Sequence, residues 1–169
     1  MNTEIERKYL VVSDAFRQQA SAVKRIRQGY LSVDPERTIR VRQSDNDAYL
    51  TIKAAAPEGS IARFEWEKNI SIEDFEALFA HCLPGAIEKE RYIVLLNDGL
   101  KAEVDVFHGA NEGLILAEIE LPQEDTQVVL PDFLGEEVTA DERYYNSYLV
   151  QHPYAEWKTN NYNELTENE

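Results

Sequence analysis

Glu4-Ile5-Glu6-Arg7-Lys8 puts two carboxylates and an ammonium on one face of an extended strand, because side chains two apart in such a chain point the same way. The same beat recurs along the sequence. Arg40 and Arg42 flank Val41; Arg63, Glu65 and Glu67 flank Phe64 and Trp66; Lys89 and Arg91 flank Glu90; Glu103 and Asp105 flank Val104; Glu118 and Glu120 flank Ile119. Lys53 adds a single charge after Ile52. Both signs occur at period two, and most of the intervening residues are apolar. Strands of this kind fit two architectures: a sheet with one wet side, or a barrel with a charged lumen.

The chain has 169 residues and 43% hydrophobic content, enough for one domain with a real core, or one domain and a tail. Its net charge of −15, from 17 basic and 32 acidic residues, argues against nucleic acid or an anionic membrane as the main partner. An anionic ligand in an enclosed site remains compatible with that charge. Between Ala102 and Glu142 there is no Lys or Arg, so the basic groups come mainly from the first two thirds. The single cysteine, Cys82, forms no internal disulfide and fits a reducing compartment. With no basic-then-apolar leader and no long apolar run, the sequence reads as cytoplasmic and without a membrane span.

Alternation and turn residues predict eight strands, near residues 2–11, 26–33, 37–43, 47–54, 62–70, 87–96, 100–107 and 114–121. Asp34-Pro35, Asp45-Asn46, Pro57-Glu58-Gly59 and above all Asn97-Asp98-Gly99 punctuate them, which makes the pairing mostly antiparallel. Ser13 is placed to cap a helix carrying Phe16, Ala20 and Val23. Ser71 with Asp74 caps another, carrying Phe75, Leu78, Phe79 and Cys82. A last helix is expected over 141–151, with Tyr144, Tyr148 and Leu149 on one side. Residues 2–150 form the domain, and 151–169 a tail with little core to offer.

A solvated sheet face is the ordinary explanation for any one such strand. Seven of them together differ, because a wet face mixes in Ser, Thr, Asn and Gln, whereas these positions are nearly all ionisable. The helical stripes also claim the apolar faces carrying Ile5, Ile39, Val41, Ile52, Phe64, Trp66, Val104 and Ile119, which turns the charged faces inward. The expected fold is therefore all-β with accessory helices: a closed, eight-stranded antiparallel barrel with a charged lumen and helices packed outside. Eight strands enclose room for one small ligand. Lys8, Arg40, Arg42, Lys53, Arg63, Lys89 and Arg91 call for a polyanion with several oxygens, and Glu4, Glu6, Asp105, Glu118 and Glu120 for hard divalent cations such as Mg²⁺ or Mn²⁺. Metal with oligophosphate satisfies both.

The run Glu4-x-Glu6-x-Lys8, with Ile39-Arg40-Val41-Arg42, Leu50-Thr51-Ile52-Lys53, Glu65-Trp66-Glu67, Lys89-Glu90-Arg91-Tyr92, Glu103-Val104-Asp105, Glu118-Ile119-Glu120, Val138-Thr139 and Tyr145-Asn146, resembles the CYTH superfamily, also called triphosphate tunnel metalloenzymes. Arg27-Gln28-Gly29-Tyr30-Leu31 is similar to its short bacterial members that prefer inorganic triphosphate. The resemblance implies that Lys8, Arg40, Arg42, Lys53, Lys89 and Arg91 bind phosphates, with Arg63 beside them. It implies that Glu4, Glu6, Asp105, Glu118 and Glu120 hold metal, and that Glu65, Glu67 and Glu103 support them. Glu6, Lys8, Lys89 and Tyr30 are the catalytic candidates. Tyr30 is the awkward one, since a phenol is a poor base at neutral pH unless cations assist it.

Three functions follow from these features. The leading one is metal-dependent hydrolysis of inorganic triphosphate, by a monomer or homodimer. Second is a class IV adenylyl cyclase, or a phosphohydrolase of thiamine triphosphate or nucleoside triphosphates. Third is a polyphosphate- or nucleotide-binding module without turnover, which has no need of five inward carboxylates. His81, His108 and His152 lack metal-ligand spacing, and Cys82 falls on an apolar stripe as a buried structural residue.

Overall fold

The computed structural model describes residues 2–158. Nine strands follow one another: β1 (Thr3–Val11), β2 (Ala22–Ser32), β3 (Thr38–Ser44), β4 (Asp47–Lys53), β5 (Ala62–Ile70), β6 (Ile87–Leu95), β7 (Lys101–Phe107), β8 (Ile115–Glu120) and β9 (Leu134–Glu137). The hydrogen-bonded order is β5-β4-β3-β2-β6-β7-β8-β1, and pairing of β1 with β5 closes eight antiparallel strands into a barrel. The Asn97-Asp98-Gly99 turn joins β6 to β7, with Gly99 at φ +77°, a conformation that glycine adopts without strain.

β1 is the seam. One edge pairs with β8 through Glu6–Leu10, while the other is shared between β5, at Thr3–Ile5, and β9, at Tyr9 and Val11. β9 has no signature in the sequence, because Leu-Gly-Glu-Glu carries no alternation. It is recruited by the stretch of β1 that β5 leaves free, since an edge there would otherwise expose unpaired backbone groups.

The outward faces pack under a thin cover. α2 (Ile72–Phe79) is capped as expected, Asp74 N donating to Ser71 Oγ at 3.0 Å, and buries Phe75 against Val41 and Ala48. Phe75 is wholly buried, worth about 1.5–3 kcal/mol. A Cβ on Gly29 would meet Cys82 Sγ at 2.8 Å, so β2 and the end of α2 pack too closely there for a side chain. Val104, Ala117 and Ile119 lie under Phe16, Leu121, Phe133 and Leu134. The cover is incomplete on β5, where Phe64 stays 45% exposed.

Two helices differ from expectation. α1 (Phe16–Gln19) is one turn without a side-chain cap, and Val23 belongs to β2, whose start at Ala22 gains ladder bonds to Ile93 and Tyr92 that a short helix cannot match. The helix expected over 141–151 is broken into a 3-10 turn, Glu142–Tyr144, and α3 (Asn146–Leu149), with Tyr145 extended between them and its hydroxyl donating to Thr139 O. Leu149, Val150 and Val138 pack on Tyr30, Ile87, Phe107 and Leu116, lumen-side residues at one end of the barrel, so this segment plugs that end. Residues 154–158 are helical and add Tyr154 and Trp157 to the cluster. The rest of the expected tail, 159–169, lies outside the described residues. No helix among the described residues is long and apolar enough to cross a membrane.

Candidate active site

Period-two alternation carries the charged side chains of all the barrel strands except β2 into one cavity of about 640 Å³. Glu4, Glu6 and Lys8 come from β1, Arg40 and Arg42 from β3, Lys53 from β4, Arg63, Glu65 and Glu67 from β5, Arg91 from β6, Glu103 from β7, and Glu118 and Glu120 from β8. A second cavity of about 140 Å³ shares Arg42, Glu67, Arg91 and Glu103 with the first and ends at Lys24, Asp47 and Lys101.

The β1–β8 wall is acidic. Glu6 stands opposite Glu120 and Lys8 opposite Glu118 in the ladder. Lys53 Nζ lies 2.8 Å and Arg63 Nε 3.2 Å from Glu4 Oε2. Burial works against the charge on Glu4, but these two cations outweigh it and hold the carboxyl down at about 2. Glu6 goes the other way. Burial, then the carboxylates of Glu118 and Glu4, push it up to about 8, although Arg63 Nη2 is 3.6 Å away. Burial also opposes charge on Glu118, but Lys8, Arg91 and Lys89 keep it well below the usual range, with a hydrogen bond from Glu6 adding to this. Burial and the charges of Glu4, Glu65 and Glu103 raise Glu120.

The β6–β7 wall is closed by ion pairs. Arg91 grips Asp105 in a fork, Nε to Oδ1 at 2.8 Å and Nη2 to Oδ2 at 2.9 Å, and Lys89 Nζ lies 2.8 Å from Oδ2. Arg91 Nη1 also reaches Glu103 Oε2 at 2.8 Å. Two expected site residues are thereby displaced: Lys89 and Asp105, 2% and 1% exposed, do not line the cavity. They lie behind Arg91, because at their level the plug and Phe107 close the barrel. Burial brings the Lys89 ammonium down to about 7, against the pull of Asp105 and with the repulsion of Arg91 and Arg42. Burial, with Arg40 and Arg91, also lowers Arg42, to about 9.

Several polar residues that the charge pattern passes over hold these groups in place. Thr51 Oγ1 accepts from Arg40 Nη2 at 3.2 Å and donates to Glu67 Oε2 at 2.8 Å. Gln28, fully buried, accepts from Arg42 Nε at 2.8 Å, and Lys8 Nζ donates to Tyr144 O at 3.0 Å. Their lumen parity was readable (Thr51 lies two residues before Lys53, Gln28 two before Tyr30), but neutral side chains gave no other signal. Tyr30 borders the cavity, its ring held in the apolar plug cluster. Among the described residues, Arg40 Nε is a buried donor without a partner. At the mouth, Tyr148 and His152 stack with centroids 4.5 Å apart. His108 lies outside the lumen, between Glu90 and Glu112. Burial raises the half-buried Cys82 thiol.

Among the described residues, no three His, Cys, Asp or Glu side chains are drawn together as a ready-made metal cluster. Glu4, Glu6, Glu103 and Glu118 each lie beside a cation instead, and Glu120 makes no ion pair among the described residues. The donor chemistry nonetheless fits a hard divalent ion: Glu4, Glu6, Glu118 and Glu120 line one wall of the cavity with carboxylate oxygens, and burial with the charges of Glu118 and Glu4 disfavours the Glu6 carboxylate, a penalty that a cation relieves. Asp105 does not fit, since both its oxygens are already taken.

The molecule is thus a closed antiparallel barrel built around an ionic lumen. It belongs to the CYTH family, whose domain matches residues 2–151. The chain is 42% identical over 159 residues to a protein named inorganic triphosphatase from Acetivibrio thermocellus, covering 94% of this chain and 99% of that one. An inorganic triphosphatase from Nitrosomonas europaea is 38% identical over 151 residues, 88% of this chain and 97% of the relative. The crystal structure of the inorganic triphosphatase NE1496 superposes with a TM-score of 0.62 at 36% identity, covering 89% of this chain and 95% of that one.

Proposed function

We propose that this chain is a metal-dependent inorganic triphosphatase of the cytoplasm, acting as a monomer or homodimer and splitting inorganic triphosphate into diphosphate and orthophosphate within the tunnel. Residues 2–150 are the catalytic unit and 151–169 a tail, the first part of which packs on it. One observation carries the reading: Lys8, Arg40, Arg42, Lys53, Arg63 and Arg91 converge on a single cavity whose β1–β8 wall is acidic. The names of the relatives point the same way.

Glu4, Glu6, Glu118 and Glu120 would hold Mg²⁺ or Mn²⁺, which would supply positive charge to the phosphoryl group and a more acidic water. Arg40 and Arg42 donate to phosphate oxygens, and Arg91, its fork held by Asp105, adds positive charge from the wall. Lys53 and Arg63 exchange Glu4 for phosphate, so that the ion pairs of the free tunnel become contacts to substrate. Water adds to the terminal phosphorus, the P–O bond to the diphosphate breaks with its electron pair on the departing oxygen, and the water's proton is released. The Tyr30 hydroxyl orients phosphate or water. Lys89 and Asp105 act through Arg91.

Phosphate release from inorganic triphosphate, ATP and thiamine triphosphate, each with and without Mg²⁺ or Mn²⁺, tests the proposal. A triphosphate satisfies the cations along its whole length, and a bulky end must stay at the mouth. The expected kcat/KM for inorganic triphosphate exceeds that for ATP by at least about tenfold, ~1.4 kcal/mol. Arg40→Ala weakens both together. Cyclic AMP as the main product from ATP makes the chain a cyclase; no release from any of the three with either metal makes it a binding module.

A further inference from the structure

Asn146 opens α3, where the plug meets the lumen, and borders the cavity. Its Oδ1 accepts from Lys89 Nζ at 2.9 Å and from Gln28 Nε2 at 3.0 Å, and Gln28 accepts in turn from Arg42 Nε. Lysine and arginine have donors only, so each amide must turn its oxygen toward its cation. The chain Arg42→Gln28→Asn146←Lys89 therefore fixes which branch of the Asn146 amide is oxygen. That oxygen already serves two donors. The other branch, Nδ2, has no protein acceptor among the described residues.

We propose that Asn146 Nδ2 donates to a phosphate oxygen of the bound triphosphate, making Asn146 a substrate-binding residue supplied by the plug rather than by a barrel strand. The inference rests on the triphosphatase reading of the lumen. Two cations hold the amide in its donating orientation before substrate arrives, so little reorganisation is needed on binding. The same bonds tie the phosphate contact to Arg42 and to the Lys89 cluster, which keeps plug and lumen in register.

Asn146→Asp separates this from a merely structural role, because it keeps an acceptor for Lys89 and Gln28 but loses the donor. Asn146→Ala loses both. Each should lower kcat/KM for inorganic triphosphate roughly tenfold to a hundredfold, mainly through KM, the range for a lost hydrogen bond to a charged group. Ser147→Asp adds the same charge at the next cavity-lining position and should do less harm. Wild-type kinetics in Asn146→Asp, or equal damage from Ser147→Asp, overturns the proposal. A second measurement needs no variant enzyme to be active. With ¹⁵N-labelled asparagine and arginine, the Asn146 amide protons of the wild-type protein, identified by the signal that Asn146→Asp lacks, should move downfield when hydrolysis-resistant diimidotriphosphate is added. Arginine signals that move while Asn146 stays still refute the contact alone; no movement of either, with no turnover of inorganic triphosphate, refutes the triphosphatase reading beneath it.

Discussion

The two charged walls of the barrel are built from the same residue types and behave in opposite ways. On the β6–β7 wall two cations serve one carboxylate: Arg91 and Lys89 together occupy both oxygens of Asp105, which is 1% exposed and held below the usual carboxylate range despite its burial. On the β1–β8 wall Glu4, Glu6 and Glu118 share Lys8, Lys53 and Arg63, Glu120 has no ion-pair partner among the described residues, and burial with carboxylate neighbours drives Glu6 up to about 8. One wall is electrostatically complete and sets geometry. The other has acid to spare, which is where an outside cation gains most.

The largest expected effect breaks the complete wall. Asp105→Asn leaves Lys89 and Arg91 buried with a neutral partner, and removing one member of a buried ion pair costs about 3–5 kcal/mol. Urea unfolding at neutral pH, read against Glu6→Gln, measures it. Glu6→Gln removes no satisfied partner of that kind and should leave stability equal or higher. A larger stability loss from Glu6→Gln than from Asp105→Asn would invert the comparison.

Activity sharpens it from the other side. If the acidic wall holds the cation, Glu6→Gln or Glu120→Gln keeps shape and removes charge, and turnover of inorganic triphosphate should fall on the order of a hundredfold or more with the fold intact. Excess chelator should abolish activity in the wild type. Undiminished turnover in Glu6→Gln, with circular dichroism unchanged, would leave this wall without its role.

How much of this contrast could be read from the sequence depends on what alternation encodes. Period two gives the face of a strand, and it placed Glu4, Glu6, Arg40, Arg42, Glu118 and Glu120 in the lumen. Local turn and cap chemistry, in Asn97-Asp98-Gly99 and in Ser71 with Asp74, fixed the hairpin and the start of α2. Depth along the barrel is a different quantity. Lys89 and Asp105 share the parity of Arg91 and Glu103, yet they lie below the cavity because Phe107, Ile87 and Leu149 fill that end from distant parts of the chain. Packing of Leu149 and Val150 on that cluster goes with the break in the helix at Tyr145, and the free edge of β1 recruits β9. Neutral residues that hold the charged ones, such as Thr51, Gln28 and Asn146, carry no charge pattern, and only their hydrogen bonds disclose them.

The smallest predicted effect is also the most diagnostic, because the two walls should respond to pH with opposite signs. Glu6 in the folded protein titrates near 8 against an ordinary value of 4.5, so the native state binds a proton that the unfolded chain has released, and stability falls as pH rises through that window. Asp105 is held below its ordinary 3.8, so its contribution is present above that value and is lost as pH falls further. Measured in chelator, the Tm of Glu6→Gln minus that of wild type should be near zero at pH 4 and grow to about 2–4 °C by pH 8.5, taking ~1 kcal/mol as the scale for a chain of this size. The deficit of Asp105→Asn should be roughly level between pH 5 and 6, where Lys89 is still charged, and shrink toward pH 3. Parallel pH profiles for the two variants would mean that the walls are electrostatically alike, and the division of labour between them would fall.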